Sequence, residues 1–195
     1  MTQASIPVDY LGLGRQLASL LGASLEGASA DAMKELARAY DPLASEARIS
    51  AEVFIFHKYL VVQGCIGAFP ESHVERVIGG LFAALNEKAT GLAMSPERQM
   101  AMEQMWQMRA QQFDAPFTKD RERIFDEAAD PTYWKQSISR FCENVCELKH
   151  PPDIWTGSNG PSHHASHCVT AAIDQLVSAM SEMNRLHFSR DLPAL

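Results

Sequence analysis

The sequence predicts an all-α protein, a compact bundle of about seven to eight helices packed around one central apolar helix at residues 49–69. Three observations carry that expectation. Apolar side chains recur every three to four residues along nearly the whole chain. No run alternates apolar and polar residues with the β-branched enrichment of a strand. And the segment Val53 to Phe69 is apolar around most of its circumference, as a helix is when other helices surround it.

The first helix is expected over Val8 to Leu21, with Leu13, Leu17, Leu20 and Leu21 as its stripe and Gly22 as its stop. A second, Ser29 to Tyr40, starts at a serine cap and ends before Pro42, because a residue preceding proline avoids the α region. The third, Ile49 to Phe69, carries Val53, Phe54, Ile55, Phe56, Tyr59, Leu60, Val61, Val62, Cys65 and Ile66. At 3.6 residues per turn these leave only a narrow polar edge near Glu52 and Gln63. Pro70 suits a first turn, and a fourth helix runs to Lys88 with Val74, Val77, Ile78, Leu81 and Leu85 on one face. Gly91 reads as its stop.

Ser95, Pro96 and Glu97 combine a cap, a first-turn proline and an early acid, opening a fifth helix to Phe113. A short sixth helix is expected over Lys119 to Ala129. In the seventh, Trp134, Ile138, Phe141, Val145 and Leu148 alternate spacings of four and three, a narrow seam. Pro151, Pro152, Gly157, Gly160 and Pro161 make 149–161 a long loop, and the eighth helix follows from Ser162 to Leu186. Residues 188–195 read as a tail. The whole, 1–195, is expected to be one domain, since 195 residues suffice for one sizeable core.

Composition narrows the function. Hydrophobic residues at 46% and charged residues at 21% are ordinary for a globular chain and exclude the disordered class. With 24 acidic against 17 basic residues and no basic stripe, neither nucleic acid nor an anionic membrane surface is an expected partner. Val53 to Phe69 approaches membrane-spanning length, but His57, Lys58 and Gln63 argue for a core helix. No basic leader or apolar signal core opens the sequence, so a cytoplasmic location with reduced thiols is expected.

The one cluster of chemistry-bearing residues lies between Cys142 and Cys168. Those 27 positions hold seven of the chain's eleven cysteines and histidines, where about 1.5 would fall by chance. Cys142, Cys146 and His150 are spaced by four, as are His163 with His167 and His164 with Cys168, and residues four apart share a helix side. If the seventh and eighth helices form a hairpin, the two groups meet at one end. Thiolate with imidazole suits zinc best, the one cofactor the sequence suggests. The plainer reading, and the favoured one, is surface histidines with core cysteines. The histidines project opposite the eighth helix's buried stripe, and the spacing matches no CxxC knuckle.

Methionine is the second unusual feature. Met100, Met102, Met105 and Met108 accompany Trp106 on the fifth helix, with Met94 just before it. Such adaptable, polarizable side chains either pack into a core or form a groove for a partner. Trp155 and Ile154 anchor the long loop or present a hot spot to another protein. His57 and Lys58 could bind a ligand or pass a proton. The simpler expectation is a hydrogen-bonded core histidine and a lysine leading its ammonium out to water. Gly12 and Gly14 lack the strand and the third glycine of a phosphate loop, and no P-loop, GxSxG or HExxH is present. The sequence thus favours a non-enzymatic interaction or small-ligand-binding module, joined to a protein partner or to itself. A zinc-type protein or metal-dependent enzyme is the alternative.

Overall fold

In a computed structural model that describes residues 8–114, 134–146 and 160–188, the described residues form seven α-helices and no strand. The all-α expectation holds. Helix α1, Tyr10–Leu25, opens where the Asp9 carboxylate accepts the Gly12 amide at 2.9 Å. It runs through Gly22 to Leu25, because one mid-helix glycine costs only about 1 kcal/mol and does not stop a helix. Helix α2, Ala28–Tyr40, is preceded by Gly27 at the cap position, so Ser29 is not the cap but a buried first-turn residue. Its end before Pro42 is as expected.

Helix α3, Glu46–Ala68, starts a turn earlier than expected, because Ser45 rather than a later residue caps it, accepting the Arg48 amide at 3.3 Å. Helix α4, Glu71–Gly91, has Pro70 just before its first turn, and the left-handed residue beyond its end is Ala93, φ 52°, rather than Gly91. Helix α5, Pro96–Asp114, begins where Ser95 Oγ accepts the Arg98 amide. Helix α6 is Lys135–Cys146 and helix α7 is Pro161–Phe188. The helix expected at 119–129, residues 149–159 of the loop and residues 189–195 of the tail lie outside the described residues. Phe188 itself is no tail. It is the last residue of α7, buried with its ring centroid 5.8 Å from Phe69 and 4.7 Å from His73.

Central α3 touches each of the other six helices. Phe56 meets Phe113 of α5 edge-on at 5.3 Å and Phe141 of α6 at 5.8 Å, while Val53, Leu60, Val61 and Cys65 are fully enclosed. This helix is long and apolar enough to cross a membrane by length and composition, yet most of it is buried inside the bundle. Its polar edge is buried too. Glu52 is 2% exposed because Arg109 of α5 covers it, donating from Nη2 at 2.8 Å and from Nε at 3.1 and 3.2 Å. Helix α1 packs most extensively on α4, and there the backbones approach so closely that a Cβ on Gly14 would strike the Gly80 carbonyl, and one on Gly80 would strike the Tyr10 carbonyl. Gly14 is a packing residue.

Candidate functional site

Grooves open on this scaffold, and two are lined by described residues that carry the candidate chemistry. The first, about 400 Å³, lies where α3, α4 and α5 diverge. Residues four apart on α3, Phe54 and Lys58, share its wall, with Leu85 and Ala89 from α4 and Met102 and Trp106 from α5. Met94 and Met100 complete an apolar trough, and Asn86, Gln99 and Glu103 supply its polar groups. The Gln99 amide is already engaged, donating to the Met94 carbonyl at 2.9 Å.

Lys58 dominates this groove electrostatically. The residue is 7% exposed, and Nζ lies 4.2 Å from the Trp106 ring centre and 4.4 Å from that of Phe82. The stem leads the ammonium into the groove between α4 and α5, where the Phe82 and Trp106 rings flank it. Glu103 is its ion-pair partner at 3.9 Å, beyond hydrogen-bond distance, with a half-exposed side chain. Burial pushes the ammonium down to about 8, against the opposing pull of Glu103. Among the described residues no other lysine or arginine lines the groove.

The methionine face divides. Met102 and Trp106 line the groove, Met105 packs against the core, and Met108 is exposed outside the groove. Six residues along a helix turn a side chain by roughly 120° net, so Met102 and Met108 do not share one narrow face. His57, one residue from Lys58, points the other way into the core. It is fully buried, its Nδ1 lies 3.0 Å from Ser24 Oγ, and burial with the nearby Lys34 charge pushes it down to about 4. The hydrogen-bonded core histidine expected from sequence is what is found.

The second groove, about 470 Å³, separates the α1–α2 corner from α7 and is lined by Ser24, Ser29, His164, His167, Cys168 and Gln175 among apolar residues and Gly27. The metal candidates sort around it. Cys168 and His164 are neighbours, sulfur to ring nitrogen 3.7 Å, and exposed His167 shares their groove, whereas His163 is half-buried outside it. Cys142 is fully buried with the core seam of α6. Burial raises the Cys168 thiol, so it holds its proton rather than offering thiolate. Cys146 ends α6, and its side chain, His150 and Trp155 lie outside the described residues. Among the described residues no three His, Cys, Asp or Glu side chains converge as a metal site. Convergence on one ion fails there because Cys142 follows the apolar seam inward, whereas of the α7 histidines only His164 and His167 line the second groove.

Sequence reasoning singled out Met102, Trp106 and Lys58 but not Glu103, Ala89 or Asn86. A signal existed on α5, where Gln99, Met102, Glu103 and Trp106 fall three or four apart and so share one face. Nothing local tied that face to α3. No family, no curated protein and no solved structure matches the chain.

Proposed function

We propose that the protein is a small-ligand-binding module that takes an apolar molecule into the groove between α3, α4 and α5. One observation carries the reading: a trough of about 400 Å³, walled by Phe54, Leu85 and adaptable methionines, converges on a single buried polar group, Lys58. Small-molecule sites have that make-up, mostly apolar walls with few placed polar groups, and volumes of roughly 300–1,000 Å³. Methionine side chains reshape at little energetic cost, which suits a flexible aliphatic or aromatic ligand.

The test uses the neutral apolar dye N-phenyl-1-naphthylamine. Its fluorescence is expected to rise on titration with wild-type protein. Ala89→Phe, which fills the trough from the α4 side, is expected to weaken the dye by about tenfold or more while the melting temperature stays near wild type. Equal dye binding by both proteins refutes the site.

A second reading, a protein partner or second copy seated on α5, is favoured by Met100 at 64% and Met108 at 56% exposure. Met108 lies outside the groove, so Met108→Glu separates the two. A lower particle mass by light scattering with unchanged dye binding supports the partner surface, and a strictly monomeric wild type counts against self-association.

A further inference from the structure

Given that the groove takes a small ligand, we infer that this ligand is an amphiphilic carboxylate, its chain lying along the methionines and its headgroup replacing Glu103 at the Lys58 ammonium. Four features of the groove lead there. Lys58 is more than nine-tenths buried, yet no acceptor lies within hydrogen-bond distance of Nζ among the described residues. An ammonium has three donors, and no protein acceptor among the described residues meets them at hydrogen-bond distance, so the groove leaves room there for a ligand's acceptor. The Trp106 and Phe82 faces hold Nζ in place from the α5 and α4 sides, so the charge is positioned before any ligand arrives. Glu103 sits at 3.9 Å with 52% of its side chain exposed, and it can turn into water when a better acceptor enters.

Headgroup chemistry follows from charge. One cation lines the groove and one carboxylate stands beside it, so a singly charged acid is matched, whereas a dianion would leave a negative charge facing Glu103. An alcohol gives Lys58 a weaker, neutral hydrogen bond, and a cationic amphiphile is repelled. Of the remaining wall, Phe54, Leu85, Met94, Met100 and Met102 offer an alkyl or aryl body apolar contact, and the polar Asn86 and Gln99 are uncharged.

The experiment titrates the full chain at pH 7 with decanoate, 1-decanol and decyltrimethylammonium, following tryptophan emission and heat. Decanoate is expected to bind at least about tenfold more tightly than decanol, with the trimethylammonium weakest. Lys58→Met is expected to bring decanoate to the level of decanol. Glu103→Gln, which removes the competing carboxylate from an exposed position, is expected to strengthen decanoate severalfold and leave decanol unmoved. It keeps the idea testable even if Lys58→Met does not fold. Equal binding of decanoate and decanol by the wild type overturns the carboxylate while leaving the small-ligand reading intact. Binding of neither up to millimolar concentration overturns both. Weaker decanoate binding by Glu103→Gln means that Glu103 assists rather than competes, and also overturns the inference.

Discussion

At the scale of single residues, the proton on one hydroxyl decides the state of His57. Ser24 donates its only hydroxyl hydrogen to the Leu21 carbonyl at 2.8 Å, so it can only accept from His57. The imidazole therefore carries its proton on Nδ1, and Nε2 is left a buried lone pair without a partner among the described residues. Protonating Nε2 would bury a charge with no acceptor, which is why burial brings the group down to about 4 from its usual 6.5. Between those values the unfolded chain binds a proton that the native state refuses. Stability is thus expected to fall as pH drops from about 6.5 to about 4, by on the order of 3 kcal/mol, and this contribution levels off below. Urea melts at pH 7, 5.5 and 4.5 check it, and the slope over that window should flatten in His57→Gln. The Glu52–Arg109 pair makes a second residue-scale case. Arg109→Met strands a carboxylate that is 2% exposed and is expected to cost about 3–5 kcal/mol in the same melts. Glu52→Met together with Arg109→Met should recover most of that loss, since two apolar side chains need no partner.

Elements meet through shape more than through charge, and α1 shows this with its own glycines. Gly14 faces the backbone of α4, and a Cβ there has nowhere to go because the obstacle is the Gly80 carbonyl rather than a movable side chain. Gly14→Ala is expected to destabilise by about 1–3 kcal/mol, the usual range for overpacking a tight contact. Gly22, two turns further along the same helix, has open space where its Cβ would stand. Gly22→Ala is therefore expected to stabilise by about 0.5–1 kcal/mol through helix propensity alone. Thermal melts of the two variants should shift in opposite directions. This contrast was not legible in the sequence, where Gly22 looked like a stop and Gly14 like half of a motif. Glycine is the same residue in both places, and only the neighbouring backbone distinguishes them.

Over the whole molecule, buried apolar residues from all seven helices join one core, from Leu13 and Leu36 through Phe56 and Leu81 to Phe113, Phe141 and Ile173. A core shared in this way leaves no helix a separate interior, so unfolding is expected to be one cooperative event. Far-ultraviolet circular dichroism and tryptophan emission should trace coincident urea transitions, and two separated midpoints would show two folding units. Among the described residues, the bundle also explains the electrostatics of the groove between α3, α4 and α5. Lys58 loses water because α4 and α5 both lean on it, although neither helix has a charge close enough to meet its donors at hydrogen-bond distance.

The amino-acid order by itself determined the helical class, the central place of α3 and the inward seams, because a three-to-four residue rhythm of apolar side chains is a local property that any packing must satisfy. It also placed Ser95 at a real helix start and set His163, His164 and His167 off the buried stripe of α7. Only the tertiary structure decided which polar residues were enclosed, which methionines shared a wall with Lys58, and that Cys142 is fully buried while His164 and His167 line a groove. Those outcomes depend on residues far apart in the chain, such as Lys58 with Glu103 or Glu52 with Arg109, and periodicity within one helix says nothing about which foreign helix will face it.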